Sequence, residues 1–388
     1  MISIIHSEKF RNYVLQAAVL FVVVGVLSFF VITAQQNLAA QGITSGFDFL
    51  FRSTGWDISF SLMDYTVRDP YWRALLIGFE NTLFVGLLGL LFATIFGTLI
   101  GIARVTPNPL LRTLGTIYVE IFRNVPLILQ GLFWYSVATH LPHPKRAIQI
   151  GDSIFISGRG INLPFVEMSH GTFLFALSCF LIAGLSIVFA PKVGLFRGER
   201  SRSYFRWLIL VLATVLACAA IYANHDPKVG LFTSPVLRGF RFVGGIQIPP
   251  EFLALLVAIT FFGSGYIAEI VRGGLLSVNK GTLEAAEALG LRPWEVYWYV
   301  RIPLALRAVM PPMGNQFVWL MKATTIGIVI GFSDLFAISS TSINQSGQSI
   351  EILFIMMAGF LLINYTIGSI MNAINRAIAI KGFDTKQK

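Results

Sequence analysis

The chain alternates long apolar runs with short polar connections, and the length of the runs decides what they become. Eight runs predict helical spans at Val14–Thr33, Ala74–Ala103, Gly115–Ala138, Gly171–Ala190, Trp207–Ala223, Phe252–Val271, Met313–Phe332 and Ile352–Ile374. A helix of about 20 apolar residues crosses roughly 30 Å of hydrocarbon. In lipid every backbone amide needs a partner within the protein, and runs without two-residue alternation meet that demand as helices and not as a barrel. The pattern predicts an all-α, polytopic membrane protein with about eight transmembrane helices.

The connections carry their own signals. Gly46–Leu62 (GFDFLFRSTGWDISFSL) is aromatic and too broken to span, so it is expected at the outer interface with Trp56 and Phe60 at headgroup depth. Residues 139–249 are looser than their flanks, and their two spans hold almost no ionisable side chains. His140 and His143 flank Pro142 with no acid or thiol nearby, so no metal site is expected there.

Composition agrees with the pattern: 12% of residues are charged and 55% hydrophobic, against about 25% charged in soluble domains. A net charge of +10 would suit nucleic acid, but its placement excludes that reading. With the spans above, eighteen Lys and Arg fall in connections on the side of the N-terminus and nine on the other. That asymmetry puts both termini in the cytoplasm. The first span follows a basic segment as a signal peptide would, yet its apolar core is too long for a cleaved leader and is expected to stay as an anchor. Cys179 and Cys218, without a Cys-x-x-Cys, are expected to be small buried hydrophobes.

One passage breaks the apolar rhythm without offering chemistry: EAAEALGLRPWEVYWYVRIP, Glu284–Pro303. It reads as two short helices about a glycine turn. Thr282 would cap the first, Glu284 would lie in its first turn, and Gly290 would end it in the left-handed conformation. Pro293 would open a second helix, Pro293–Val300, which Pro303 would interrupt. Ala285 and Ala286 allow close approach by another protein, and Glu284 and Glu287 offer charge. No G-x4-G-K-[ST] occurs in the chain, so a phosphate cradle must come from elsewhere.

EAAEALG followed by nine residues and VRIP resembles the E-A-A-x3-G-x9-I-x-L-P motif of bacterial ABC importer permeases, with Val300 and Ile302 as mild departures. GYIAEIVRGGL, RAVMPPMGNQFVWLMKATT and ENTLFVGLLG…GIAR…YVEIFRNVPLILQ are similar to the polar amino-acid branch of that family. The likeness covers about Trp72–Ala138 and Pro250–Arg376, and the added first span and 139–249 resemble the longer general L-amino-acid permeases. The resemblance implies a type I importer permease core in four parts. These are an anchor and interface segment (1–72), a first core part (73–138), an extra two-helix segment (139–249) and a second core part (250–388) with an ATPase-docking loop at 273–312.

It further implies an inner-membrane transport subunit, not an enzyme, that moves L-amino acids from periplasm to cytoplasm. Glu284, Ala285, Ala286, Glu287, Gly290, Arg292 and Pro293 would dock a separate ABC ATPase dimer. ATP and Mg would sit on that partner, and this chain would bind no cofactor. A second permease, like or related, and a periplasmic amino-acid-binding protein complete the expected assembly, with no nucleic acid.

Polar groups at membrane depth normally face protein or a water path. They nominate Lys322, Asn315, Gln316, Thr324, Thr325, Glu269 and Gln130 for the substrate path. Lys322 lies roughly 14 Å into its span at 1.5 Å per residue, and could grip a carboxylate or pair with Glu120 or Glu269. Glu120 and Arg123, three apart, could satisfy each other. The polar Ser339–Ser349 stretch could meet the binding protein or be a solvated loop. An ion-coupled secondary transporter is the alternative; it would favour broken helices in matching halves, and no matching half is visible.

Overall fold

The computed structural model describes residues 8–40, 46–166, isolated positions between 171 and 186, 199–224, 232–239 and 241–378. Ten helices of eight residues or more carry the architecture among these: α1 (Glu8–Ala40), α2 (Tyr71–Ala103), α3 (Pro109–Asn124), α4 (Leu127–Thr139), α5 (Glu199–Ala223), α6 (Pro250–Leu276), α7 (Lys280–Ala288), α8 (Ile302–Ala323), α9 (Leu335–Ser346) and α10 (Ser349–Ile378). Five (α1, α2, α5, α6, α10) are long and apolar enough to cross a membrane, and a sixth crossing arises if the bent pair Pro293–Ile330 and Leu335–Ser346 is one span. The expected span Gly171–Ala190 lies largely outside the described residues, and the count of eight is not reproduced.

The centre is a parallel pair, α2 and α6, packed backbone to backbone. A Cβ at Gly97 would stand 2.7 Å from Ile267 and 2.9 Å from the Ser264 carbonyl, and one at Gly101 would stand 2.8 Å from the Ala268 carbonyl. Lipid tails are as apolar as leucine, so helices in a membrane gain little from apolar contact alone. Small residues four apart allow the close van der Waals approach that replaces it. Gly86 turns the same helix toward Met321 of α8, and Gly78 toward the backbone of Asp334 and Leu335. Val85, Leu255, Ile259, Ile267, Leu320, Met321 and Phe332 fill the core between these helices.

The third expected span, Gly115–Ala138, is two helices. Asn108 caps α3 by accepting from Leu110 N–H at 2.9 Å, with Pro109 in the first turn. The helix stops at Val125, which is extended (ψ 124°), because Pro126 disfavours the helical conformation in the residue before it. Gln130 repairs the break: its Nε2 donates to the Phe122 and Val125 carbonyls at 2.9 and 3.0 Å.

A second reversal ends α8. The chain tightens into a 3-10 segment, Thr324–Ile330, and turns at Gly331 (φ +82°) into α9 at a bend of 52°. Polar side chains of α2 satisfy this turn, since Asn81 Nδ2 donates to Ser333 O and Phe60 O, both at 2.8 Å, and Thr82 Oγ1 accepts from Leu335 N–H at 2.9 Å. The Ser339–Ser349 stretch is therefore no solvated loop: most of it is α9, with Ser339 and Ser342 fully buried. Gly46–Leu62 packs on the bundle through Phe60. Phe60 inserts between Phe252 and Phe332, with centroids at 5.2 and 5.7 Å, and plugs that end of the bundle.

The all-α expectation fails in 139–249. Strands β1 (Ile148–Ile150), β2 (Ile154–Ser157), β3 (Gly160–Leu163), β4 (Phe165–Val166), β5 (Phe232–Thr233), β6 (Val236–Arg238), β7 (Arg241–Val243) and β8 (Ile246–Ile248) form one four-stranded antiparallel sheet, order β1-β2-β3-β8, and two short antiparallel pairs, β4–β5 and the hairpin β6–β7. The signal was present as two-residue alternation in Ile148-Gln149-Ile150 and Ile246-Gln247-Ile248, too short to register beside the apolar runs. β8 leads directly into α6, so this sheet and the lobe containing α7 lie at opposite ends of the central pair. Neither cysteine is buried: Cys179 is intermediate and Cys218 exposed.

Replacing Gly97 with Val should overpack the α2–α6 contact and cost about 1–3 kcal/mol, read as a lower Tm in detergent. Gly273→Ala, where an added Cβ meets nothing within 4 Å, should leave the Tm unchanged.

Candidate functional site

Two regions stand apart from the packed core: the lobe between α6 and α8, and a groove beside Lys322. In the lobe, Asn279 and not Thr282 caps α7, accepting from Gly281 N–H at 2.9 Å, which moves Glu284 into the second turn. Gly290 ends the helix at φ +87°, where its N–H donates to Glu287 O at 2.9 Å and Leu291 N–H donates to Ala286 O at 3.3 Å. That pair of reversed bonds satisfies the last carbonyls, and only a glycine takes its φ without strain. Glu295 then accepts from Arg292 N–H at 2.7 Å, closing the first turn after Pro293.

Pro303 does not interrupt the second helix of the lobe. Residues Val296–Arg301 widen into a π-helix and run straight into α8, with Pro303 in the first turn of the α-helical part. The missing amide and the bulk of the ring are absorbed by the wider turn, so this part of the lobe continues α8 without a break. Arg301 ties it to α6 by donating to Leu275 O at 3.4 Å.

The lobe is two-faced. Ala286 and Val296 are buried, and α7 packs on the Val296–Arg301 segment, so Ala286 belongs to a seam inside the lobe and not to a free surface. Glu284, Ala285, Glu287, Gly290, Arg292 and Pro293 are exposed. Around them Leu289, at 84% exposed, Trp294, Trp298 and Tyr299 present a continuous apolar and acidic surface.

The second region is a groove of about 700 Å³ between α8, α9 and α10. Lys322, Thr325 and Asn364 supply its polar atoms, and Phe336, Phe354 and Leu361 are among its apolar walls. Lys322 is exposed and forms no ion pair among the described residues; neither Glu120 nor Glu269 reaches it. Thr325 Oγ1 is turned to Lys322 O at 2.9 Å.

The other nominated residues do not join this groove. Thr324 is buried and bonds Met321 O at 3.0 Å. Gln316 is half-buried, with its Nε2 enclosed and unbonded, and Asn315 is exposed on α8. Gln130 is the staple across the α3–α4 break. Glu269 is taken up by arginines, with Arg104 and Arg272 each at 2.5 Å and Arg123 at 3.8 Å. Glu120 accepts instead from Asn124 at 3.1 Å, so the Glu120–Arg123 pair does not form. The arginine partners of Glu269 and the groove's Asn364 escaped sequence reasoning, since Arg104 and Arg272 read as ordinary connection charges. The Gly97-x3-Gly101 spacing opposite GYIAEIVRGG was the available clue that these segments touch.

Residues 93–380 match the family described as binding-protein-dependent transport system inner membrane component. The chain belongs to that family. Among known proteins, the general L-amino acid transport system permease protein AapQ of Rhizobium johnstonii is 35% identical over 97% of this chain and 94% of its own length. The glutamate/glutamine/aspartate/asparagine transport system permease protein BztB of Rhodobacter capsulatus is 32% identical over 97% of this chain and 96% of its own. A solved structure titled as an amino acid ABC transporter with histidines is similar at 19% identity and a TM-score of 0.47, covering 79% of this chain and 95% of that one. The permease is thus a transport subunit and not an enzyme, and its family implies an ATPase partner, a second permease and a binding protein.

Replacing Gln130 of the permease with Leu keeps the volume but strips the Phe122 and Val125 carbonyls of their donor. The cost should be about 1–3 kcal/mol, seen as a lower Tm and faster amide exchange on either side of Pro126.

Proposed function

We propose that the permease carries L-amino acids inward from periplasm to cytoplasm, driven by ATP that a separate ATPase dimer hydrolyses with Mg. The observation that carries this is the two-faced lobe: an inner seam in which Ala286 and Val296 are buried and Arg301 is tied to α6, and an outer face that is bare and acidic-aromatic. The names of relatives aligned over nearly the whole chain support the substrate class. In this reading the lobe faces the cytosol with both termini. Residues 73–138 and 250–388 form the type I importer core; within 139–249 the sheet stands on the periplasmic side while α5 crosses the membrane. A push on the Glu284–Pro293 surface would reach α8 through the Val296–Arg301 π-helix, which runs into α8 without a break.

Lys322 is the substrate-facing cation. A free ammonium beside Thr325 and Asn364, in a largely apolar groove, suits the carboxylate of an amino acid that has left water. No observation favours the ion-coupled alternative.

Gly290→Val forces a β-branched residue into the left-handed region, a local strain of about 1–3 kcal/mol. Nothing lies within 4 Å of that position, so the body should fold normally. The expected outcome is faster amide exchange in α7, with ATP-driven uptake in proteoliposomes lost while hydrolysis continues. Unchanged uptake would defeat the docking role. Lys322→Met should weaken substrate binding by about tenfold to a hundredfold at unchanged protein abundance; lower abundance with normal uptake would make Lys322 structural.

A further inference from the structure

Where α2, α3 and α6 converge, four charged side chains meet and do not balance. Arg104 Nη1 reaches Glu269 Oε2 at 2.5 Å, and Arg272 reaches Oε1 at 2.5 Å through Nη2 and 3.1 Å through Nε. Arg123 Nη1 stands 3.8 Å from Oε2, with its guanidinium over the Tyr266 ring at 4.9 Å. Among the described residues no other carboxylate pairs with these three guanidiniums, so one negative charge faces three positive ones. Donors are in surplus as well: Nε of Arg104 and Nε of Arg123 are buried and bond nothing.

The cluster has a closed back and an open front. The Arg104 side chain is 8% exposed, its stem pressed against Gly115, whereas Glu269, Arg272 and Arg123 remain 32%, 34% and 35% exposed. Its depth matters. At 1.5 Å per residue α6 is about 40 Å long, roughly 10 Å more than the hydrocarbon core. Shared between both ends, the overhang puts Arg272 and Glu269, about 6 and 10 Å from the helix end, at the boundary between hydrocarbon and headgroups. Unbalanced charge in such a place is costly unless a counter-charge arrives. Planar guanidinium forks bind oxyanions in pairs of parallel bonds.

We propose that Arg104, Arg123 and Arg272, gathered around Glu269, form a binding site for one oxyanion group, a phosphate or a carboxylate, that enters from the open side between α3 and α6. Arg104 is the fixed wall and the anchor of Glu269. Arg123 and Arg272 are the donors that turn outward. The shared chemistry admits two sources, a phospholipid headgroup at this depth or a small soluble anion.

The test is thermal unfolding of the full-length protein, with its co-purifying subunits, in nonionic detergent. The probes are dioctanoyl phosphatidylglycerol, inorganic phosphate, glutarate and, as the oxyanion-free control, dioctanoylglycerol. A ligand of the folded state raises Tm in a saturable way. The expected result is such a rise with at least one oxyanion probe, weakened by salt. The midpoint should move about tenfold or more to weaker binding in Arg123→Gln and in Arg272→Gln. A rise with phosphatidylglycerol but not with phosphate or glutarate identifies the lipid source, and a rise with the small anions identifies a soluble one; either supports the site. No rise with any probe, an equal rise with dioctanoylglycerol, or an unchanged midpoint in both variants overturns it. If the glutamine variants do not fold, Arg123→Lys carries the test: it keeps the charge but loses the planar fork, and its midpoint must still move to weaker binding.

Discussion

A single methyl group on Gly97 or Gly101 would overlap the backbone of α6, and that intolerance organises the rest of the molecule. Water does not press helices together inside a bilayer, so they associate only as closely as their surfaces permit. With α2 and α6 locked in parallel, Arg104 at the end of one helix is carried beside Glu269 on the other. Gly86 and Gly263, on the same pair, receive Met321 and Leu320, which sets the height of α8. The lobe at the foot of α8 and the groove at its head inherit their positions from that contact.

Broken helices are the second theme, and each break has its own repair. Pro126 frees carbonyls that Gln130 takes up. The turn after Ile330 exposes backbone groups that Asn81 and Thr82 reach from α2, while Asp334 accepts from Ala337 N–H at 2.8 Å to start α9. Each repair is a polar side chain buried for structure. Membrane-depth polarity is therefore an ambiguous marker of a substrate path: Gln130 and Thr324 are spent on backbone and Glu269 on arginines, whereas Lys322 alone of the nominated ionisable groups is left with its charge uncompensated.

The lobe shows how a sequence without reactive residues can support the docking role proposed for it. Its contribution is shape. The left-handed turn at Gly290, the capping by Asn279 and the π-helical passage through Tyr297 shape the lobe and join it to α8, with Ala286 and Val296 buried inside it.

The helical class, the membrane setting, the glycine-centred lobe and the family likeness were all legible along the chain, because they rest on local periodicity, on capping chemistry and on short ordered motifs. The positions of α2, α6 and α10 were legible within a few residues for the same reason. What periodicity could not reveal was which polar groups meet. Gln130 and Phe122 are eight residues apart, Arg104 and Glu269 are 165 apart, and no local rule distinguishes a structural glutamine from one that lines a path. The short sheet strands were hidden because three residues of alternation are too few to stand out in an apolar chain. The residue types, their spacing and their average hydropathy belong to the sequence; the partner of each buried charge is decided by how closely the glycine faces let two helices approach.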